Sequence, residues 1–252
     1  MRNLGNTCFA AAVVWALRPC ERVRNLVSVE TSPIHRMLKR LFERPDDGET
    51  WASFVRQVDT MIGRRGREPH DSHETLCAIL DKAGGPLERL FTINFQRSVK
   101  CSSCGKTAKA KETNVYVACE HAASLAAGLA GSHAPTKVEK RECDFCDRKA
   151  DGILRTVPKT PAPGMLVIRT CQRKLWMEHC IGYCGARYRL RSVIVHMGSS
   201  DHGHYAALVM DKSGKAWAMC DDDAVRRASV PIVQGASEIS NPSTVIYERV
   251  VM

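Results

Sequence analysis

Asn3 to Leu17 reads NLGNTCFAAAVVWAL, a glycine-containing turn that delivers a cysteine to the start of an apolar, helix-like run. Gly5 permits backbone dihedrals that other residues avoid. Thr7 is placed to cap the helix. Cys8 falls at the first turn, where the helix dipole and a cationic imidazole favour a thiolate. A cysteine in such a run is ordinarily a core residue. As a nucleophile it needs a base, and the base needs an orienter. Far along the chain, Tyr188 to Val225 reads YRLRSVIVHMGSSDHGHYAALVMDKSGKAWAMCDDDAV: a strand pattern, Gly-His-Tyr, a second strand, then Trp217 and three aspartates. His204 is the base this pattern offers. Asp221 or Asp222 would hold one imidazole nitrogen and fix its tautomer. His196 and His202 compete with His204 on spacing alone, and a run of aspartates is ordinarily a solvated turn. Asn3 is an amide donor near enough to Cys8 to reach an oxyanion.

Between these two segments lie Cys101-x-x-Cys104 and Cys143-x-x-Cys146. Each pair sets two thiolates on one tight turn, and four such sulfurs complete a closed, tetrahedral structural zinc site. The 38 residues separating the pairs exceed a compact zinc ribbon, so two hairpin tips clamped together are expected. One structural Zn2+ is the cofactor expected. Cys171, His179, Cys180 and Cys184 form an irregular second set of ligand types; the alternative is buried or loop thiols.

The chain of 252 residues is long enough for a real core, and 44% hydrophobic with 25% charged residues is ordinary globular composition. The 37 basic and 27 acidic residues give a formal net charge of +10. The basic residues are dispersed, as on solvated faces, with short clusters at Arg64-Arg65-Gly66-Arg67 and Lys137 to Arg141. No stretch has the roughly 20 apolar residues of a membrane span. Phe9 to Leu17 is similar to a secretion-signal core. However, polar Asn6 and Thr7 precede it, Arg18-Pro19 follows it and no small-residue cleavage site appears. A cytoplasmic or nuclear, monomeric protein with no membrane partner is expected.

Periodicity divides the chain into three stretches. Residues 1 to about 90 read as helical, with Ile34, Leu38, Leu41 and Phe42, then Phe54, Val55, Val58, Met61 and Ile62, at helical spacing. Another helix runs from Asp71 through Leu80 and stops at Gly84-Gly85-Pro86. Arg44 to Thr50 reads as a loop. Residues from about 91 to 160 hold a strand entering the first cysteine pair and an Ala/Gly-rich segment, 119–136, without clear period. Residues 161 to 252 are strand-rich, with Met165 to Ile168, Arg189 to His196, His204 to Met210 and Val245 to Val250 as strands. Helices first and an antiparallel sheet later make an α+β protein.

Taken together, NLGNTCF, the YRLRSVIVHMG…GHYAA box and the W…DD..V pattern, with paired Cys-x-x-Cys between them, resemble the ubiquitin-specific proteases, the papain-like deubiquitinases. HDSHETL (His70 to Leu76) and PGMLVIRTCQR (Pro163 to Arg173) extend the resemblance more weakly. It implies one catalytic domain over 1–252, with a helical thumb (about 1–90), zinc-tipped β fingers (91–160) and an antiparallel β palm (161–252). It implies Cys8 as nucleophile, His204 as general base, Asp221 as third triad member, Asp222 as an assisting acid and Asn3 as oxyanion amide. Asp71 and Glu74 match acidic residues that hold a basic substrate tail. Gly203 and Tyr205 match the rim of a channel admitting only Gly-Gly. The partner implied is ubiquitin or a ubiquitin-like protein and its conjugates. Ala11 and Trp15 depart from the family's Asn and Gln, and Thr170 to Arg173 from its Leu-Lys-Arg-Phe.

Two other functions compete. One is an inactive relative that binds ubiquitin as a scaffold. The other is a basic zinc module that binds nucleic acid, which the +10 charge suggests. The aromatic content of 6% shows no stacking pattern for that role.

Overall fold

The computed structural model describes residues 1–29, 32–119, 122–199 and 203–250. Helices α1 (Cys8–Leu17), α2 (Glu21–Val29), α3 (Pro33–Glu43), α4 (Gly48–Ile62), α5 (Ser72–Ala83) and α6 (Gly85–Phe91) come first. They are followed by β1 (Ile93–Cys101), β2 (Thr107–Asn114), β3 (Val117–Ala118), α7 (Leu125–Gly131), β4 (Thr136–Glu142) and β5 (Lys149–Lys159). The rest is strand: β6 (Met165–Arg169), β7 (Lys174–Glu178), β8 (Cys180–Tyr183), β9 (Ala186–Gly198), β10 (Gly203–Met210), β11 (Trp217–Asp221), β12 (Ala224–Ala228), β13 (Ile232–Val233), β14 (Ala236–Ser240) and β15 (Pro242–Arg249).

Helix α1 is apolar on every side, and such a helix has to lie inside the molecule. All ten of its residues are buried. It lies between α3 and α5 on one side and β9, β10 and β11 on the other. Ser192 of β9 donates its hydroxyl to the Ala16 carbonyl at 2.7 Å, fastening helix to sheet. Thr7 does not cap α1 with its side chain; its hydroxyl accepts the Leu4 N–H at 3.0 Å and tightens the preceding turn instead. Helix α4 starts at Gly48, inside the stretch read as a loop, because the Asp47 carboxylate accepts the Thr50 N–H and starts the helix there. It stops at Gly63, in the left-handed region at φ 67°. The helix expected from Asp71 through Leu80 is α5, with Asp71 as its cap, accepting the His73 and Glu74 N–H groups.

The main sheet has strand order β12-β11-β10-β9-β15-β6-β3, with β8 paired to β9. Its pairs are antiparallel except β3 with β6. Both faces are covered. Met165, Val167, Ile194, Ala207 and Ile246 meet the helices, while Leu166, Ile168, Val193, Val195, Ala206 and Tyr247 face the opposite core. This is the period-two alternation of a strand, and two covered faces explain why MLVI and SVIV read as unbroken apolar runs. The second core is closed by α7 and the three-stranded sheet β13-β14-β7. Helix α7 lies in the Ala/Gly-rich stretch that showed no period. Gly128 sits so close to Cys119 that an added Cβ would fall 1.9 Å from its sulfur.

The third layer is the sheet β2-β1-β5-β4, two hairpins joined along β1 and β5. Gly152 opposes Cys101, where a Cβ would meet the Lys100 carbonyl at 3.0 Å. The four metal-type cysteines lie at the adjacent tips, 101–106 and 142–149. Among the described residues no helix is long and apolar enough to cross a membrane.

Candidate active site

The turn ahead of Cys8 is held by its own side chains. Asn3 Oδ1 accepts the backbone N–H of Gly5 at 2.9 Å and of Thr7 at 3.3 Å. Asn3 Nδ2 donates to Asp222 Oδ2 at 3.0 Å. Gly5 stands at φ 107°, and a Cβ there would lie 2.7 Å from Cδ of Arg67. The basic loop after α4 therefore lies directly on the turn. Arg64 is its fastening. Nη2 donates to the Gly5 carbonyl at 2.9 Å, Nε to the Glu68 carbonyl at 2.6 Å and Nη1 to Asp59 at 2.8 Å. Its guanidinium also lies 5.3 Å over the Phe9 ring. Sequence reading passed over Arg64 as part of a charge cluster; its one local signal is the Asp59 five positions earlier.

On the sheet side, His204 is the second residue of β10, paired with Met197 of β9. Asp221 ends β11, the next strand. His204 Nε2 and Asp221 Oδ1 are 2.5 Å apart. The other Asp221 oxygen lies 3.6 Å from Arg226. Asp222 enters the turn to β12 in the left-handed region at φ 50°. Trp15 Nε1 donates to its carbonyl at 2.9 Å, so the indole ties the far half of α1 to the aspartate turn. Burial pushes the Asp222 carboxyl up, and the Asp221 and Asp223 charges add to this, while Asn3 and His204 pull it down.

Cys8, Asn6, Phe9, His70, Asp71, His196, Gly203 and Tyr205 line one cleft of about 270 Å³. Both chain neighbours of His204 thus face the cysteine. Cys8 was expected to favour its thiolate, and the structure places it differently. Burial pushes the thiol above the ordinary cysteine range and Asp222 adds to this, against backbone N–H groups of Tyr205, Phe9 and Cys8 itself. Tyr205 is likewise pushed up to about 12 by burial. His196, the competitor of His204, also reaches the cleft. Its ring lies 4.5 Å from that of Tyr205, tilted by 38°, and an added Cβ on Gly203 would fall 1.8 Å from its Nε2. Among the described residues His204, and not His196, has a carboxylate partner. His202 lies outside the described residues.

Asp71 lines this cleft from the thumb side, and Glu74 stands outside its lining. Asp71 Oδ1 accepts the His73 and Glu74 N–H groups, and Oδ2 faces Arg169 at 3.8 Å. Glu74 is exposed and faces His70 at 3.5 Å.

Cys101, Cys104, Cys143 and Cys146 bring their sulfurs within 4.8 Å of one another. The Cys104 and Cys143 sulfurs are 3.7 Å apart, close to the edge of a tetrahedron with ~2.3 Å metal–sulfur bonds. The four fit a metal ion. Cys171, His179, Cys180 and Cys184 do not converge among the described residues, and His179 Nε2 is engaged by the Ser237 hydroxyl at 2.9 Å. All twelve cysteines are free of disulfides.

The ubiquitin carboxyl-terminal hydrolase family matches this chain over residues 109–247, more than half of its length. No curated protein matches the sequence. Among solved structures, the SAGA DUB module Ubp8/Sgf11/Sus1/Sgf73 bound to monoubiquitin superposes with a TM-score of 0.80 at 15% identity. The match covers 100% of this chain and 69% of that one. The same module bound to ubiquitin aldehyde gives 0.79 at 14% identity, over 100% and 69%. The yeast SAGA module with a mutant Sgf73 gives 0.78 at 15%, over 100% and 68%. The shared fold is papain-like, with a helical thumb, β fingers and a palm sheet. This chain belongs to the ubiquitin carboxyl-terminal hydrolase family, as a ubiquitin-specific protease: a cysteine-type hydrolase with deubiquitinase activity.

Proposed function

We propose that this family member hydrolyses the isopeptide bond at the C-terminal glycine of ubiquitin or a ubiquitin-like modifier through Cys8, His204 and Asp221. The observation that carries the reading is the 2.5 Å contact of His204 Nε2 with Asp221, on strands whose neighbouring residues line the Cys8 cleft. Asp221 holds Nε2 and leaves Nδ1 for the thiol proton. His204 takes the Cys8 thiol proton as general base. The thiolate attacks the terminal glycine carbonyl, and His204 protonates the departing lysine amine. It then activates water to hydrolyse the thioester.

The second N–H of the Asn3 amide and the Cys8 backbone N–H meet the oxyanion, and one such donor is worth ~3 kcal/mol in the transition state. Asp222 serves by orienting Asn3. Gly203, with no room for a Cβ against His196, and Tyr205 shape the channel for Gly-Gly. Asp71 and Glu74 stand on the thumb side as carboxylates for the tail.

The division is a thumb over residues 1–90, fingers over 91–160 and a palm over 161–252, as one catalytic domain. The fingers hold one Zn2+ on the four cysteines, which would staple the two hairpin tips together. Ubiquitin's body would rest on the fingers; ubiquitin as the partner is supported by the structural neighbours, solved bound to monoubiquitin and to ubiquitin aldehyde. Free cysteines and a thiolate metal site suit a reducing compartment, the cytoplasm or nucleus.

The test is reaction with ubiquitin carrying a thiol-reactive group at its C-terminus, beside Cys8→Ala. An adduct in the wild type alone supports the reading. An adduct only with another modifier's probe keeps the mechanism and changes the substrate. No adduct from any probe with a folded, metal-loaded protein overturns it in favour of a binding scaffold.

A further inference from the structure

The cleft at Cys8 opens into a second groove of about 240 Å³ that shares Asp71, His196 and Tyr205 with it. Its palm wall is the segment Arg169 to Arg173, whose last four residues depart from the family's Leu-Lys-Arg-Phe. Every polar side chain that this segment offers is a donor. Arg169 and Arg173 bring two guanidinium groups to the lining. Thr170 is only 4% exposed, yet its hydroxyl has no partner among the described residues. Gln172 spends its carbonyl on the Ala122 N–H at 3.2 Å, and its buried amide nitrogen has no partner among the described residues. The groove holds one carboxylate, Asp71, whose Oδ1 is committed to the cap of α5 and whose Oδ2 lies 3.8 Å from Arg169, which leaves further N–H donors of that guanidinium for a second acceptor.

Buried donors without acceptors are costly, and they mark where an acceptor is to arrive. A chain entering the Cys8 cleft by its Gly-Gly end would lie extended, so alternate side chains would face opposite walls. Those ahead of Gly-Gly that face the palm meet two cations and two vacant donors. We infer that the groove selects a modifier tail with an acidic side chain just ahead of its Gly-Gly end, held by Arg169 and Arg173 with Thr170 and Gln172 as supporting donors. This deepens the proposed function and rests on it: the thumb wall keeps its carboxylates, so the groove is acidic on one side and basic on the other. A tail of alternating character fits it better than one basic throughout.

The experiment uses ubiquitin in which each of the four residues ahead of Gly-Gly is changed to Glu in turn. Binding is measured on the full chain carrying Cys8→Ala, and turnover on the active chain. At least one Glu position should raise both affinity and kcat/KM over unmodified ubiquitin by about five-fold, the worth of a well-placed guanidinium–carboxylate pair at a partly exposed site. The gain should shrink with added salt and vanish in R169A/R173A. No favoured Glu position, or a preference that survives R169A/R173A, overturns the inference. Turnover of unmodified ubiquitin with no Glu preference would sink this inference and leave the proposed function standing. A Glu preference in binding without turnover of any variant would do the reverse.

Discussion

Arg64 joins the thumb to the catalytic turn, and its removal has a magnitude that can be worked from its contacts. The side chain is 3% exposed and Asp59, its ion-pair partner, 26%. Stranding one partner of a fully buried pair costs ~3–5 kcal/mol, which the part exposure of Asp59 reduces to ~1–2 kcal/mol. The Gly5 and Glu68 carbonyls each lose a charged donor, worth about 1 kcal/mol apiece after partial rehydration. The contact over Phe9 adds about 1 kcal/mol. These groups share one side chain and do not add fully, so Arg64→Ala should destabilise by roughly 3 kcal/mol. In a domain of this size that is a drop in melting temperature of roughly 6–12 °C. Arg64→Lys keeps the charge opposite Asp59 but loses the fork, and should cost about half as much. Because Gly5 belongs to the turn that carries Asn3, Arg64→Lys should also lower kcat for a fluorogenic ubiquitin substrate more than it raises KM. The assays are thermal unfolding of the metal-loaded protein and steady-state kinetics. An Arg64→Ala protein that melts within about 2 °C of wild type and keeps its kcat would refute this account of how the turn is held.

Asn3→Ala should lower kcat by ~10²–10³ with KM little changed, since the amide acts on the transition state; an equal loss confined to binding would count against the oxyanion role. Because burial and the Asp222 charge both raise the Cys8 thiol, its alkylation rate should keep climbing with pH through neutrality and level off only above the ordinary cysteine range. Asp222→Asn keeps an acceptor for Asn3 and removes the repelling charge, so its alkylation curve should move to lower pH; an unmoved curve would show that Asp222 does not act on the thiol. Cys143→Ser, or chelation of wild type, should release about one equivalent of zinc and open residues 101–149 to proteolysis. Reaction of Cys8 with a small alkylating agent should meanwhile stay at its original rate, and a protease-resistant finger segment would argue that the four cysteines hold no structural ion.

What could be read from residues alone was whatever repeats locally. The alternation in β6, β9 and β10, the helical spacing in α3, α4 and α5, and the two Cys-x-x-Cys turns each announce themselves within a dozen residues. What could not be read depends on a distant partner. In helix α7 Gly128 lies against Cys119, a contact that leaves no local signal in a run of small residues. Thr7 has the chemistry of a cap, yet the fold of the preceding turn turns its hydroxyl to Leu4. The irregular cysteine set shares ligand types but not a location. In the site, the boxes around Cys8 and His204 announced the residues proposed to react, while the residues packed around them stayed silent. Arg64, Trp15 and His196 act through contacts with residues far off in the chain or on a neighbouring strand.

The wholly buried α1 has a consequence for how the chain is made. It leaves the ribosome well ahead of three strands that enclose it, β9, β10 and β11, the last of which is not complete until Asp221. At a translation rate of roughly 5–20 residues per second, a helix apolar on every side waits on the order of 10–40 s for its surroundings. During that interval it is the stickiest segment of the nascent chain, and a holding chaperone has an obvious ligand in it. The same delay keeps Cys8 away from His204 and Asp221, so the proposed site cannot assemble until β10 and β11 have been made.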